Sequence, residues 1–564
     1  MKDREGSISM MLRFLALLIL LLPMSAQARD GVVSTANPLA SEAGREILQA
    51  GGNATDAAMG VMLALTVVEP QSSGIGGGGF LLYHDGKTGR IATIDGRETA
   101  PANAQPDRFL NPDGTPMAFM QAVPGGLSVG VPGNIALMAK AHARWGKLSW
   151  ARLFDPAIRL AEQGYVVTPI LAGRLAMLAK IWADFPEARA IYWQDGRPKQ
   201  AGERVVNPAL AATLRRIAAA GPDAFYKGEV GRLISEAVAM APRNPSALTA
   251  ADLAAYKAID RAALCAPYRV WRICGMGPPS SGATTVLSML GMLERFDMKG
   301  LGKDSPVAWH LIGEAMLLAY ADRDRYLGDR DFVEVPIKGL LDRRYLRERS
   351  ALISADHARG DYPAGKPAGA VAFADTPAPD EHGTTHFVVR DGAGNIVSMT
   401  STVEGPFGSQ LIAGGMFLNN ELTDFNFLPE KDGVPAANRV QAGKRPLSSM
   451  APTIVYDAKG RVVLALGSAG GKRIIMHVAK TLIGVLDWGL DASAAIALPN
   501  IYFQGKALLL EKGTALEAMA PALTKLGHVV SPADLDSKVN AVQLTKSGWH
   551  GAADPRSEGV ALAE

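Results

Sequence analysis

Apolar residues recur along the chain with two different spacings, and these spacings predict where helices and strands lie. Residues 30–35 read as a strand, whereas 41–50 and 57–68 have the 3.6-residue spacing of helices. The region from about 137 to 356 is mostly helical by the same criterion. These patterns are typical of a folded core rather than of a disordered chain.

The last third of the chain has a different character. Residues 357–380 are rich in Ala, Pro, Gly and Asp, which is typical of an exposed linker. After Gly383 strands alternate with turns, and helices return near 474–488 and 516–526. Mixed strands and helices predict an α/β fold with a sheet core covered by helices.

One predicted hairpin places two threonines face to face. Segments 383–390 and 396–403 read as strands on either side of a strong turn. If the turn centres on Ala393, Thr402 lies directly opposite Thr384. Paired threonine hydroxyls are ordinary in sheets, so the hairpin alone indicates no function.

Composition and charge narrow the classes of function. The chain has 564 residues, of which 48% are hydrophobic and 20% charged, so it exceeds one ordinary domain. A net charge of +3 without a dense Lys/Arg run argues against a nucleic-acid partner. Only His382 and His386 lie close together and no third ligand is near, so we predict no metal site. The Gly-rich run 74–79 precedes a strand rather than a helix, which argues against a phosphate cradle, and we expect no cofactor.

The N-terminus predicts secretion. Lys2, Arg4 and Arg13 precede the apolar run 14–22, and small residues then predict cleavage after Ala28. The alternative is a membrane anchor, but nine strongly apolar residues are too few to cross a bilayer as a helix. We therefore expect a secreted, periplasmic protein that is not integral to a membrane once the signal is removed.

The two cysteines fit an oxidising compartment. Cys265 and Cys274 flank a Pro-containing turn between two short β-type runs, which could fold as a hairpin with the cysteines facing each other. Such a pair would close as a disulfide outside the cytoplasm. The alternative is two buried free thiols.

Six short motifs in the chain are specific in combination. In order they are GGNATDAA at 51–58, GRETAP at 96–101, PPSSG at 278–282, GTTH at 383–386, RPLSS at 445–449 and ADPR at 553–556. Together they resemble the γ-glutamyltranspeptidase family of N-terminal nucleophile hydrolases, over nearly all of the chain after the signal. The resemblance implies a four-layer αββα sandwich formed jointly by two fragments of one self-cleaved chain. The implied parts are a signal peptide (1–28), a large subunit (29–383) and a small subunit (384–564) that carries the nucleophile.

The residue types at the GTTH motif suit this chemistry. Once the bond before Thr384 is cut, its free α-amine, with a reference pKa of about 7.7–8.0, can accept the hydroxyl proton. Self-cleavage can use the same hydroxyl to attack the carbonyl of Gly383, a residue that tolerates unusual backbone angles. Thr402 would orient the hydroxyl, and by resemblance the amides of Gly470 and Gly471 stabilise the oxyanion.

The resemblance also implies a binding set for the donor. Arg97, Ser448 and Ser449 hold the α-carboxylate of a γ-glutamyl group, Arg being suited to a bidentate contact. Glu421 and Asp424 hold its α-ammonium.

The chain departs from the family pattern in two places. It has Glu404 where most members carry an Asn that helps to bind the ammonium, so the acid either strengthens ammonium binding or turns away. The loop 428–443, before the RPLSS motif, is short and lacks the aromatic residue of lid-bearing transpeptidases. An open cleft favours water or bulkier acyl acceptors.

The best hypothesis is therefore a γ-glutamyl hydrolase and transferase that acts on glutathione and other small γ-glutamyl compounds through a threonine ester, with hydrolysis favoured. A cephalosporin (glutaryl-type) acylase on the same fold is the alternative, because Glu404 alters the donor pocket. From another class, a catalytically dead secreted binding protein would need no intact site. The retention of Thr384, Thr402 and Arg97 argues against it.

Overall fold

Two large sheets form the centre of the molecule. The computed structural model describes residues 31–376 and 383–564, so the predicted signal peptide (1–28) and His382 lie outside the described residues. Thirteen strands build the two sheets. In chain order they are β1 (Val32–Thr35), β2 (Gly78–His84), β3 (Ile91–Gly96), β4 (Ile259–Arg261), β5 (Leu264–Tyr268), β6 (Trp271–Gly275), β7 (Thr385–Arg390), β8 (Ile396–Thr402), β9 (Thr453–Tyr456), β10 (Val462–Gly467), β11 (Asn540–Thr545), β12 (Gly548–Ala553) and β13 (Val560–Ala563).

The strand orders mix parts of the chain that are far apart in sequence. The first sheet has the order β13-β1-β7-β8-β2-β3-β4, and the second has the order β12-β11-β10-β9-β6-β5. Every neighbouring pair in both sheets is antiparallel. The two sheets touch at β7, where Asn540 donates a side-chain hydrogen bond to the carbonyl of His386 at 2.9 Å.

Helices cover both sheets. Pro38–Gln49 and Ala54–Val68 pack against the first sheet, and Gly282–Leu293 and Arg473–Leu486 pack against the second. Every residue of Ala54–Val68 is buried, because its many Ala, Gly and Met side chains allow close packing. The remaining α-helices in the described ranges are Phe119–Ala122, Asn134–Trp145, Asp155–Gln163, Pro169–Leu178, Pro186–Tyr192, Pro208–Ala220, Asp223–Tyr226, Glu229–Ala239, Ala250–Ala255, Met298–Leu301, Pro306–Tyr326, Ile337–Leu340, Arg343–Ser350, Ala492–Ala497, Ala515–Ala518 and Ala520–Lys525.

Small ribbons complete the fold. They are Tyr165–Val166 with Arg204–Val205, Trp193–Gln194 with Arg197–Pro198, Ile412–Ala413 with Met416–Phe417, Glu430–Lys431 with Val434–Pro435, and the three strands Ile501–Gln504, Ala507–Glu511 and Val529–Ala533. Among the helices of the described residues, none combines the length and the apolarity needed to cross a bilayer.

Three sequence expectations are corrected at the element level. The first two helices begin three residues earlier than predicted, at Pro38 and Ala54, because the side chains of Asn37 and Asn53 cap them. The helix predicted at 516–526 is two short helices, Ala515–Ala518 and Ala520–Lys525, and Pro lies in the first turn of the second one.

The predicted exposed linker is partly packed. Residues 357–376 form no helix or strand, as expected, but the side chains of Tyr362, Phe373 and Thr376 are buried. The hydroxyl of Tyr362 donates to the carboxylate of Glu314, which anchors the start of this segment. The prediction of exposure was wrong here because composition does not reveal a few anchoring side chains.

The predicted cysteine hairpin is present at the edge of the second sheet. Strands β5 and β6 pair so that Cys265 lies opposite Cys274, and the two are joined by a disulfide.

Candidate active site

The two threonines of the hairpin meet at the end of strands β7 and β8. The pairing of Thr385 with Ser401 and of His386 with Thr400 confirms the predicted register. The hydroxyl oxygens of Thr384 and Thr402 lie 3.0 Å apart, and both side chains are buried. The hydroxyl of Thr402 also accepts a hydrogen bond from the backbone N–H of Glu404 at 2.8 Å, which fixes its position.

Both residues at the Gly383–Thr384 bond have positive φ angles, which strains the backbone at Thr384. Thr384 was predicted inside a strand, but β7 begins one residue later, and Thr384 has a φ of 81°. A non-Gly residue in this region costs on the order of 1–3 kcal/mol and persists only where its surroundings hold it. Gly383 has a φ of 136°, and a Cβ there would lie 1.8 Å from the carbonyl oxygen of Glu404. Only glycine fits this position without a shift of the backbone.

A glycine turn from another segment reaches the same bond. The backbone N–H of Gly470 donates to the carbonyl oxygen of Gly383 at 3.0 Å. Gly470 and Gly471 have φ values of 121° and 60°, and they lie just before the helix Arg473–Leu486. The carbonyl that precedes Thr384 is therefore polarised by a fixed amide, as an oxyanion donor would polarise it.

The residues predicted to hold opposite ends of a zwitterion contact each other directly. The guanidinium of Arg97 forms ion pairs with the carboxylates of Glu421 and Asp424, and all three side chains are buried. The same guanidinium donates to the backbone carbonyls of Pro446 at 3.2 Å and Leu447 at 2.7 Å. Arg97 is thus held at the start of the RPLSS segment by four groups from two loops.

The electrostatics of this cluster are dominated by burial. Burial raises the pKa of Glu421 well above its ordinary value, although the nearby charge of Arg97 opposes the shift. Burial likewise raises the pKa of Glu98 to about 7, again opposed by Arg97. One guanidinium therefore faces several acids, and burial raises the pKa of two of them, Glu98 and Glu421.

The two serines of the RPLSS motif lie next to this cluster. Ser448 and Ser449 are both buried, and the hydroxyl of Ser449 accepts a hydrogen bond from the guanidinium of Arg323 at 2.7 Å. Arg323 also donates to the hydroxyl of Ser281 at 2.9 Å, so it links the PPSSG and RPLSS motifs.

Glu404 is not turned to solvent. Its side chain is 3% exposed, and its carboxylate accepts a hydrogen bond from the side-chain amide of Asn420. Its φ of 74° places it in the left-handed region, two residues after Thr402. Glu404 is thus bonded to Thr402 through its backbone N–H and to Asn420, the residue before Glu421, through its side chain.

A cavity of about 510 Å³ opens beside the strained bond. Gly383, Glu404 and Gly470 are among the residues that line it. Apolar residues supply much of the wall, namely Phe119, Met120, Val123, Ile170, Met177, Leu178 and Ile181. Arg174 and Arg473 also line it, and neither forms an ion pair within residues 31–376 and 383–564. Asp536 and Lys538 lie on the same lining, and Lys538 is paired with Glu69.

His386 takes no part in this arrangement. Its Nδ1 lies 2.8 Å from the hydroxyl of Thr400, and the ring is fully buried. Burial lowers the pKa of His386 to about 3, so the ring is neutral at ordinary pH. The side chain supports the sheet rather than the reacting groups.

Sequence reasoning missed three residues of the site. Glu98 follows Arg97 within the GRETAP motif, so its place in a motif was a signal that could have found it. Asn420 precedes Glu421 and was read only as part of a run. Arg323 lies inside a long helix, and no local pattern distinguishes it from a surface arginine.

Comparisons with known proteins match nearly the whole chain to one family model and to two kinds of enzyme. Residues 40–564 match the family model described as Gamma-glutamyltranspeptidase. The chain is 37% identical over 553 residues to the glutathione hydrolase proenzyme of Bacillus subtilis (strain 168), covering 95% of this chain and 91% of that one. It is also 37% identical over 547 residues to the acylase ACY 1 proenzyme of Pseudomonas sp. (strain SE83), covering 95% and 94%.

A solved structure gives the same picture of the fold. The structure of a cephalosporin acylase from Bacillus halodurans superposes with a TM-score of 0.84 at 28% identity, covering 95% of this chain and 96% of that one.

Proposed function

The chain belongs to the gamma-glutamyltranspeptidase family, and from this membership we propose that it is a γ-glutamyl amide hydrolase and transferase that cuts itself before Thr384. Its substrates would be glutathione and other small γ-glutamyl compounds. The observation that carries the proposal is the meeting of three groups at one bond. They are the paired hydroxyls of Thr384 and Thr402, and the Gly470 N–H on the carbonyl of Gly383.

Maturation would proceed as an acyl shift. The hydroxyl oxygen of Thr384 attacks the carbonyl carbon of Gly383, and negative charge develops on the carbonyl oxygen that Gly470 contacts. The C–N bond breaks, the nitrogen takes the proton, and an ester links Gly383 to the threonine oxygen. Water then hydrolyses the ester and restores the hydroxyl beside a free α-amine.

The mature residue would then work on donors by the same route. Thr384 attacks the γ-carbonyl, its proton passes through the α-amine to the leaving amine, and a γ-glutamyl-threonine ester remains. Gly470 and Gly471 hold the oxyanion, and Thr402 orients the hydroxyl. Water resolves the ester in hydrolysis, and an amine acceptor resolves it in transfer. We further propose that hydrolysis is favoured, because the loop 428–443 is short, has no aromatic residue and forms only the small hairpin of Glu430–Lys431 with Val434–Pro435.

Donor binding would exchange ion pairs without changing the net charge of the buried cluster. The α-carboxylate replaces one of the acids on Arg97, while the α-ammonium pairs with the acid that is released. We assign the carboxylate to Arg97, Ser448 and Ser449, and the ammonium to Glu404, Glu421 and Asp424. The exchange conserves the net charge of the buried cluster, which lowers the cost of binding a zwitterion.

We propose that the two touching sheets with helices outside form a four-layer αββα sandwich shared by fragments 29–383 and 384–564. The two fragments would remain together as a heterodimer after the cut. We further propose that residues 1–28 direct the protein to the periplasm, where Cys265 and Cys274 stay oxidised.

A glutaryl-type acylase is the second candidate, and the cavity beside Gly383 favours it. An apolar wall with Arg174 and Arg473, neither of which is paired with a carboxylate among the residues that the structure describes, suits a bulky, negatively charged leaving group. A relative named as an acylase is as similar in sequence as one named as a glutathione hydrolase.

Two measurements test these proposals. A denaturing gel of the purified protein should show two bands, the smaller beginning at Thr384 by N-terminal sequencing, while Thr384→Ala should give one inactive band. Matched γ-glutamyl and glutaryl p-nitroanilides should then be hydrolysed side by side. A higher kcat/KM for the glutaryl amide would favour the acylase, and no activity on either from a cleaved protein would refute both.

A further inference from the structure

Three buried side chains of metal-binding type meet far from the candidate active site. His310 and Glu314 lie one turn apart on the helix Pro306–Tyr326, and His528 precedes the strand Val529–Ala533. One ligand atom from each residue lies within 4.8 Å of the other two. Their side chains are 0%, 0% and 4% exposed.

The hydrogen bonds of His310 define which nitrogen is available. Its Nε2 lies 2.8 Å from the backbone carbonyl of Ser354, which can only accept, so Nε2 carries the hydrogen. Its Nδ1 therefore presents a lone pair, and this atom faces Nε2 of His528 at 2.7 Å. A backbone carbonyl behind the distal ring nitrogen is the usual support of a histidine that binds a metal.

The carboxylate of Glu314 is only half satisfied. One oxygen accepts from the hydroxyl of Tyr362 and from the backbone N–H of Arg359 at 3.2 Å. The other oxygen is buried and has no hydrogen-bond partner in the described part of the chain, where Glu314 also forms no ion pair. A buried carboxylate oxygen without a donor or a cation is costly, which indicates that a positive group is missing from its surroundings.

We propose that His310, Glu314 and His528 bind a divalent zinc ion. Two imidazole nitrogens and one carboxylate oxygen form a donor set that zinc accepts, with a fourth position left for water. His528 would place its hydrogen on Nδ1 and offer Nε2, which is a change of tautomer without a change of charge. With zinc–nitrogen distances of about 2.0–2.1 Å the two rings must separate slightly, to roughly 3.3 Å between ligating nitrogens.

The position of this site would let the zinc ion link two parts of the chain. His310 and Glu314 precede residue 383 and His528 follows it, so the ion would join segments on either side of the proposed cut. Arg359 and Tyr362, which contact Glu314, begin the segment that leads to Gly383. Zinc would therefore stabilise both the association of the two parts and the anchoring of this segment.

The test uses the untagged full chain, stripped with a chelator and dialysed. Zinc titration followed by elemental analysis should give one tightly held equivalent, and Co²⁺ should give the visible bands of a low-coordinate nitrogen and oxygen site. Glu314→Gln keeps the shape and the acceptor for Tyr362 but removes the charged ligand, so zinc affinity should fall at least 100-fold. Zinc should raise the melting temperature of the parent protein and not that of the variant.

His550→Ala is the matched control, because His550 is exposed and lies outside the cluster. It should bind zinc like the parent protein. His528→Asn provides a second variant if Glu314→Gln does not fold. Binding equal in parent and cluster variants, or no bound zinc in the parent, would overturn the proposal. The same experiment on Thr384→Ala separates zinc binding from self-cleavage, since an uncut chain should bind the ion as well.

Discussion

Gly383 and Thr384 both have positive φ angles, and the carbonyl between them lies on the N–H of Gly470. Gly383→Ala should slow self-cleavage by about 100-fold or more, because the new Cβ would collide with the carbonyl of Glu404 and move the scissile carbonyl off its donor. A time course on a denaturing gel measures the rate.

The control for this substitution lies on the same hairpin. Gly392→Ala adds a Cβ that has nothing within 4 Å, so it should cleave like the parent. If Gly383→Ala is cut at the parental rate, the geometry at this bond does not control maturation.

Glu404 is buried beside Asn420, and its proposed contact with the donor ammonium can be tested. Glu404→Gln keeps an acceptor for Asn420 but removes the charge, so kcat/KM for γ-glutamyl amides should fall by about 10- to 100-fold. Glutaryl amides lack the ammonium and should be affected much less. Glu430→Gln, an exposed acid, serves as control. An equal loss on both substrates would show that Glu404 does not face the ammonium.

Glu98 gives a pH-dependent prediction. Burial raises its pKa to about 7, above the unfolded value, so folding loses stability as pH rises from about 4.5 to about 7. Glu98→Gln removes this loss. Its melting temperature relative to the parent should therefore increase by about 1–3 °C between pH 5 and pH 8. Both proteins should carry Thr384→Ala, so that neither is cut. A difference in melting temperature that stays constant with pH would contradict the prediction.

At the scale of elements, the sequence could predict what depends on neighbouring residues. The register of β7 and β8 followed from the position of one turn, so the pairing of Thr384 with Thr402 was predictable. The ion pairs of Arg97 were not, because Glu421 and Asp424 come from a segment more than three hundred residues away. The cluster of His310 with His528 was hidden for the same reason, since only the fold brings them together.

The edge hairpin of β5 and β6 provides a prediction at this scale. Cys265 and Cys274 close a short loop, so their disulfide should contribute about 2–3 kcal/mol. The double variant Cys265→Ser, Cys274→Ser should melt a few degrees lower than the parent and lose little activity, because the hairpin belongs to the second sheet and pairs with neither β7 nor β8. Thiol titration of denatured, unreduced protein should detect no free thiol, and two thiols would refute the bond.

At the scale of the whole molecule, the strand order decides how the two parts would behave after the proposed cut. In the first sheet, β1 lies between β13 and β7, and the β7–β8 pair lies between β1 and β2. Strands from before and after residue 383 therefore alternate, and the second sheet also contains strands from both parts. Neither part can leave without exposing the edges of strands that were paired inside a sheet.

The cleaved protein should accordingly behave as one folded body. Its elution volume in size exclusion should equal that of uncut Thr384→Ala, and the two fragments should separate only at the denaturant concentration that unfolds them. Residues 384–564 expressed alone should aggregate, because the β7–β8 pair then lacks the strands on either side of it, β1 and β2. Separation of two folded fragments in native buffer would contradict this, since it would require the alternating strands to come apart while each part kept its structure.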